Sequence, residues 1–516
     1  VSALSRLILF LFFSVNALAQ PVGAPDCLPV APEPLVTPQV LGNGTPGSVS
    51  TAQIQSALNI GGAIRFNLGA APSTIIVNEP LIISRAVIVD GGGLLSLSGA
   101  DQRRIFEQRN PSNATYSATL QNLTLINGNS RLAAGDEFAR SGGAILNDHG
   151  AEPWRAMTLK LINVNIRDSR AIETAQDGGG GALYLVGNKE LIVANCSFEN
   201  NVGSNGGALY TLGVERVKIV DSLFRSNVAT GTGGNPGNGG NAGAVGVDGA
   251  TRLVAFCRNR VLNNSANSFG IGFFSVMYDA QSFSQIEDST FDGNSNPTTS
   301  GFATIYLQGG PMRIAGSTIS NNQANGYAGL YLGPNLSGVI INSTIAGNTA
   351  RQGLGGGIGA ETNANVQIIN STIANNFSGA FAGGIAVGSG NQLSISNTLL
   401  INNTGGNAFV SWNINNPASA GSNNLQWPQA RPNGGTEIFM RPGSVIAAPL
   451  VGSLVNNGGT TETIALLSGS PAIGGANAAL APSQDQRGIS RSPPPDIGAF
   501  EFMANLDLIL RSGFEN

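Results

Sequence analysis

Charged side chains make up only 11% of this 516-residue chain. Seven of them nevertheless fall in two short stretches, Arg131, Asp136, Glu137 and Arg140 in one and Arg170, Glu173 and Asp177 in the other. Guanidinium and carboxylate groups side by side suit sugar hydroxyls and acidic sugars, through bidentate and charge-assisted hydrogen bonds. Exposed ion pairs contribute only about 0–1 kcal/mol each, so folding alone gives little reason to gather them. The plain alternative is a solvated loop cluster that pairs its own charges. Other chemistry is poorly supplied. The single histidine, His149, stands in Asn147-Asp148-His149-Gly150, the slot of an ordinary turn. Glycosidic hydrolysis needs two carboxylates at a fixed separation, and no Asp-Asp pair occurs anywhere. The aspartates are scattered singly, as turn caps are, rather than clustered as calcium ligands would be. No Cys/His group has zinc spacing and no phosphate-loop motif occurs, so neither cofactor nor metal is expected. Three lysines (Lys160, Lys189, Lys218) and a net charge of −4 leave no footprint for nucleic acid.

The elements that carry these loops are repeats. An asparagine stands three residues after a large apolar residue at Asn201, Asn227, Asn264, Asn294, Asn322, Asn348, Asn376 and Asn403, with spacings of 26, 37, 30, 28, 26, 28 and 27 residues. A loose period in this range marks a solenoid. Segments such as Val366–Ile368 and Leu393–Ile395 alternate apolar and polar residues, as strands do. Val366 and Ile368 share one parity, but Ile373 lies five residues after Ile368, so Asn370-Ser371-Thr372 must be a bend joining two strands. A third strand starts at a glycine signature, as in Gly142-Gly-Ala-Ile145, Gly180-Gly-Ala-Leu183, Gly206-Gly-Ala-Leu209 and Ala382-Gly-Gly-Ile385. Three short strands and three corners fit about 27 residues. The fold class is therefore all-β: a right-handed parallel β-helix of three-strand coils, with the eight asparagines stacked as a buried ladder roughly 4.8 Å apart. The apolar residues keep their place in every coil, which sets the chain apart from a disordered Gly/Asn-rich one.

Loop lengths locate the candidate site. Most coils use 8 to 11 residues between the apolar position before the asparagine and the glycine pair. Leu125 to Gly142 uses 17, Ile166 to Gly180 uses 14 and Phe224 to Ala242 uses 18. The three insertions, at 129–141, 167–178 and 230–241, share one turn and should project as one lobe. Asp136 or Glu137 is expected to approach Arg170, and Arg140 to approach Glu173 or Asp177. The third insertion, rich in glycine and asparagine, is expected to be flexible. Removal of residues 130–140 is expected to leave the fold intact.

Two resemblances follow from motifs. The Asn-Ser-Thr-Ile-x-x-Asn runs at 342–348 and 370–376, with Gly-Gly-x-Ile between them, resemble bacterial right-handed β-helix proteins of the polymorphic outer-membrane-protein-like kind. Residues 448–459, 464–473, Asp485-Gln-Arg-Gly488 and Asp496-Ile-Gly-Ala-Phe-Glu501 are similar to the choice-of-anchor Q domain. That resemblance implies a β-helix closed by a small module and followed by a sorting tail; neither family supplies a catalytic set. The pair His149-Gly150 and the run Arg216-Val-Lys218 resemble elements of β-helical polygalacturonases, whose paired aspartates are missing here.

The ends complete the plan. Leu7 to Phe13 is an apolar run after Arg6, followed by Ala17-Leu-Ala19, which reads as a signal peptide. Expected boundaries are 1–19 signal peptide, 20–48 linker, 49–430 β-helix opened by a short helical cap near Ser50–Leu58, 431–502 anchor-like module and 503–516 tail. In that module Ile464, Leu466, Leu467, Ile473, Ile497 and Phe500 are expected to be buried, with Asp485, Arg487 and Asp496 forming a polar arrangement. Cys196 and Cys257 occupy nearly one slot two coils apart, about 9.6 Å along the axis, too far for a bridge. Cys27 is left over, so stability is not expected to depend on a disulfide. The resulting expectation is an exported monomer, secreted or on the surface or outer membrane of a Gram-negative bacterium. It has no transmembrane segment in the mature chain and contacts a polysaccharide or cell-surface glycan without catalysis. The alternative is a polysaccharide lyase or glycoside hydrolase acting through the lobe.

Overall fold

Two inward rows of amides and hydroxyls run through the later coils, one from Asn201 to Asn403 and one from Ser222 to Ser371. The computed structural model describes residues 26–147, 156–234 and 237–503; the signal segment, His149 and residues 504–516 lie outside these. Successive coils pair in parallel and in register, for example Ser337–Ile341 on Asn365–Ile369 and Thr344–Ala346 on Thr372–Ala374. A 24-stranded sheet carries the two strands on either side of each Asn-Ser-Thr bend, and an 11-stranded sheet, from Leu81–Ile83 to Ile385–Val387, carries the strand after the glycine signature. The corners need left-handed backbone. Asn370 (φ 43°) and Asn375 (φ 57°) supply it at the two asparagine corners, where a short amide tolerates it best.

All eight ladder asparagines are fully buried. Asn348 is typical: its Nδ2 donates to Oδ1 of Asn376 at 2.9 Å and to the Ile319 carbonyl at 2.9 Å, while its own Oδ1 accepts from the backbone N–H and Nδ2 of Asn322. The series ends where Asn403 Nδ2 meets Asn413 Oδ1 at 3.1 Å. A second row occupies the other corner, with the N–H groups of Ser289, Ser317 and Ser343 donating to the hydroxyls of Ser317, Ser343 and Ser371. Between the rows, apolar columns fill the core. Phe198 and Phe224 stack at 4.9 Å, and Ile319, Ile345, Ile373 and Leu400 align through the strand register.

The helix Thr51–Ile60 covers the first coil. Ser50 is its N-cap and forms a reciprocal capping box with Gln53; Ile54, Ala57 and Leu58 are buried. Residues 26–41 do not hang free of the coils. They run back along the outside of the long sheet, against the order of the coils. Asp26 pairs with Lys218 (2.6 Å), Glu33 pairs with Lys160 (2.6 Å) and Gln39–Leu41 adds a parallel strand to Ile64–Phe66.

One expectation is overturned here. Cys27 is bonded to Cys257, and Cys196 alone remains a free, buried thiol, its pKa pushed up to about 12 by burial. Cys196 and Cys257 are both coil residues and stay unbridged to each other, whereas the partner of Cys257 comes from the strap laid across the coils. Cys27 and Val30 pack there on the small outward side chains Ala194, Val220 and Ala255.

Residues 448–503 lie along the flank of the late coils rather than over their end. Thr461 Oγ1 donates to the Gly316 carbonyl, Thr344 Oγ1 to Gln486 and Asn370 Nδ2 to the Asp496 carbonyl. One outward position of the second strand reads Glu199, Arg225, Leu262, Asp292 and Ser320 in successive coils and becomes Ala346, Ala374 and Ile401 under this segment. Ile464, Leu466, Ile497 and Phe500 are buried, Leu467 and Ile473 partly so. The Asp485 carboxylate binds Arg487 and the Glu501 N–H, Asp496 accepts from Gly474 and Phe502, and the Arg487 guanidinium lies 3.5 Å from the Phe500 ring centroid. The open end of the core is met instead by residues 411–440. There the inward Gln426 bonds the backbone of Ile438 and Met440, and the buried Glu437 accepts from Ser411 and the N–H groups of Trp412 and Asn413.

Two outcomes follow. Asn348→Ala strands the Asn322 donors and the Ile319 carbonyl, and should lower stability by about 1–3 kcal/mol, read as a lower midpoint in denaturant with unchanged far-ultraviolet circular dichroism. Cys27→Ser opens a closed loop whose ends are separated by 230 residues. It should lower stability by up to about 5 kcal/mol in the chain-entropy limit, and reducing agent should destabilise the parent but not the variant.

Candidate functional site

The three insertions fold into one lobe through backbone contacts. Ser130 N–H donates to the Arg170 carbonyl, Ile172 N–H to the Arg140 carbonyl (2.9 Å) and Gly240 N–H to the Ser204 carbonyl. The described residues of the third insertion pair with one another and pack on the second. Thr232 and Asn238, and Gly234 and Gly239, form antiparallel bridges, and a Cβ on Gly239 would stand 2.4 Å from the Ala175 carbonyl oxygen. This is where glycine is required, because no side chain fits between insertions two and three.

The seven charged residues come together, with a different pairing from the one expected. The ion pair across the first two insertions is Arg131–Glu173, 2.7 Å. Glu137 accepts from the backbone N–H groups of Gln176 (3.0 Å) and Asp177 (3.4 Å) rather than from Arg170. Arg140 Nε donates to the Arg131 carbonyl, and Asp136 caps the Ala139 N–H at 3.0 Å. The Arg170 side chain is exposed, while its backbone bridges Asn129 and Val202. The Asp177 carbonyl accepts the Tyr184 hydroxyl at 2.9 Å. The spacing argument placed these residues on neighbouring loops but could not choose partners among them, because the backbone path of each insertion decides that.

A cleft of about 320 Å³ opens at the foot of the first insertion, lined by Arg104, Glu107, Arg109, Asp136, Phe138 and Tyr184 among others. The buried Arg104 guanidinium holds the insertion down. It donates to the carbonyls of Ala139 (2.5 Å), Ser141 (2.8 Å) and Gly142 (2.9 Å) and pairs with Glu107 (2.5 Å), whose other oxygen binds Arg109. Removing residues 130–140 would take the Ala139 carbonyl from this buried cation, an unmet hydrogen bond that costs about 1–3 kcal/mol, so point substitutions are the sounder probe. Nothing in the local sequence around Arg104 marks it out.

The lobe stands beside a row of aromatic side chains on the outer face of the 11-stranded sheet. In-register outward positions read Leu146, Tyr184, Tyr210, Gly246, Phe274, Tyr306 and Tyr331. Phe274 and Tyr306 stack at 5.4 Å, and Tyr306 and Tyr331 at 4.5 Å. Phe269, Phe302 and Tyr327 form a second row in the adjoining turn. Lobe residues bury the early part, where Phe138 packs on Tyr184 at 6.3 Å; the later rings Tyr306, Tyr327 and Tyr331 are half-exposed. Burial pushes the Tyr327 and Tyr331 phenols well above their usual value, and Glu361 raises them further, so both stay protonated donors. This row has a signal in the sequence apart from the asparagine repeat: an aromatic residue directly follows the inward apolar one in Leu183-Tyr184, Leu209-Tyr210, Phe273-Phe274, Ile305-Tyr306 and Leu330-Tyr331.

No protein-family model and no curated protein sequence matches the chain. Solved structures do. A PL6 alginate lyase in complex with a trisaccharide is similar at a TM-score of 0.48 and 12% identity, over 89% of this chain and 96% of that one. The Streptococcus pneumoniae surface protein and adhesin PfbA is similar at 0.36 and 11%, over 78% and 99%. Tailspike protein 3 of bacteriophage CBA120 is similar at 0.40 and 10%, over 79% of this chain, which spans only 62% of the tailspike chain. These likenesses concern the parallel β-helix and carry no argument about the chemistry of the site.

Proposed function

We propose that this protein is an exported β-helical scaffold that contacts glycans through the lobe and the cleft at its foot, without catalysing their breakdown. The observation that carries the reading is the exposed Arg131–Glu173 pair, set across two insertions whose own folding is secured by backbone bonds and by buried Arg104. Such a pair adds little to stability, and the planar guanidinium beside a carboxylate suits the vicinal hydroxyls or carboxylate of a sugar. Export is supported by the Cys27–Cys257 disulfide, a crosslink that persists in oxidising compartments outside the cytoplasm. The flank segment similar to a choice-of-anchor Q domain, with the tail that follows it, would serve display on a Gram-negative surface, and the chain would act as a monomer.

Arg131→Ala and Arg170→Ala should each weaken binding to the glycan that a printed array selects by about tenfold, roughly the loss of one charge-assisted bond, with thermal unfolding unchanged. Equal binding by both variants would place the site elsewhere. A reducing-end assay on the same glycan decides the rival reading: turnover that Arg131→Ala abolishes would make the lobe the site of a lyase or hydrolase.

A further inference from the structure

Six of the seven tyrosines, all but Tyr116, lie on or at the border of one face, the outer side of the 11-stranded sheet. The outward positions of the long sheet in the same coils are filled by residues such as Gln285, Arg313, Val339 and Gln367. Along the row Tyr184, Tyr210 and Phe274 are buried, while Tyr306 and Tyr331 are partly exposed and stack on a neighbour along the axis. Tyr327 does not. It is tilted 46° from Tyr331 and 40° from Phe302. A Cβ built on Gly359 would stand 2.2 Å from its Cδ1, 2.5 Å from Cε1 and 2.7 Å from Cγ. Near-equal distances to three adjacent ring atoms put that point above the plane of the ring, since a point beyond the ring's edge would favour one atom strongly. The ring therefore lies flat across Gly359, with one face on the glycine backbone and the other turned outward. Glycine at 359 is what makes room, just as Gly246 makes room for Tyr210, which is wholly buried.

Around that outward face the chemistry is uncharged or acidic. The Tyr327 hydroxyl donates to Glu361 Oε1 at 2.8 Å, and Tyr306 donates to Gln308 at 3.3 Å. Arg351, on the loop that leads to Gly355, is turned to the Thr298 carbonyl at 2.7 Å. The aromatic path is continuous with the lobe. A Cβ on Gly234 of the third insertion would meet the Phe269 ring at 2.5 Å, Phe269 stacks on Phe302 at 5.4 Å, and Phe302 packs on Tyr327 at 6.1 Å.

We infer that Tyr327, with Glu361 beside it, is a stacking platform for a pyranose ring of an uncharged polysaccharide that runs along the helix axis from the lobe. The inference rests on the glycan-contact reading and adds to it a second contact point and a substrate class. A tyrosine ring offers rigid apolar area to the C–H face of a sugar at little entropic cost, and the carboxylate accepts from sugar hydroxyls with a charge-assisted bond. A polyanion is disfavoured, because its carboxylates would be laid against Glu361. The coil spacing of about 4.8 Å is close to the length of one pyranose unit, so a chain along the axis meets one coil per sugar.

Affinity electrophoresis of the purified chain tests this, in native gels containing hydroxyethylcellulose, xylan, galactomannan or dextran as neutral polymers and polygalacturonate or alginate as acidic ones. At least one neutral polymer should retard the parent. Tyr327→Ala should raise its Kd about tenfold, Tyr327→Phe only a few-fold, and Gly359→Ala, which lifts the ring, should behave like Tyr327→Ala. Circular dichroism and thermal unfolding check that each variant is folded, and Tyr327→Phe keeps the test sharp if a larger change unfolds the face. Retardation by acidic polymers alone, or a folded Tyr327→Ala variant with parental affinity for the neutral polymer, overturns the platform. If acidic polymers bind and Arg131→Ala removes that binding, the lobe reading stands while the platform falls; if no polymer of either class retards the parent, both fall.

Discussion

A carboxamide buried in the corner of a coil has donors and an acceptor that must all be met, and here each is met by the coil above or below. Asn322 Oδ1 takes two donors from Asn294, and its Nδ2 reaches Asn348 and the Phe291 carbonyl. That arrangement works only if consecutive coils are stacked in strict register, because a slip of one residue would replace an amide by a side chain that cannot reciprocate. The rest of the molecule inherits this condition. In-register stacking aligns Phe198 under Phe224 and Ile345 under Ile373, brings the three insertions of one turn to one place, and lines up the tyrosines on one face.

With the interior fixed by repetition, individuality is confined to what lies outside the coils. The long sheet has two outer faces. The N-terminal strap crosses one in the early coils, and the C-terminal segment covers the other in the late coils. The 11-stranded sheet keeps an outer face that is closed by the lobe at one end and open at Tyr306, Tyr327 and Tyr331 at the other. The open face is the one enriched in amphipathic rings, and the covered faces carry small or aliphatic residues such as Ala255, Ala374 and Ile401. Coverage and composition agree, which is what a surface shaped for contact would require.

Repetition also explains what could be read from the sequence. The asparagine positions, the bend at Asn370-Ser371-Thr372 and the glycine signature recur many times, so each was legible from spacing alone, and the common turn of the insertions followed from counting. Features that occur once were not legible. The Cys27–Cys257 bridge joins a strap residue to a coil residue 230 positions away, and nothing local to either cysteine encodes that meeting. Arg104 under the first insertion is equally singular. The partners inside the lobe were misjudged for a related reason: Arg131 meets Glu173 because the first insertion folds back on itself, a path set by its own turns rather than by the repeat.

The strap runs against the order of the coils, so its disulfide ties together parts of the solenoid that are far apart in sequence. Cys27 lies near the beginning of the polypeptide, yet its partner belongs to a coil completed after some two hundred further residues. In the folded molecule the strap lies across every coil between them, from the strand Gly62–Phe66 to the strand Leu253–Cys257. A missing or slipped coil in the folded stack would put Cys257 at a different height along the axis, out of line with Cys27 at the end of the strap. In that sense the strap is a gauge: its length matches a fixed run of stacked coils.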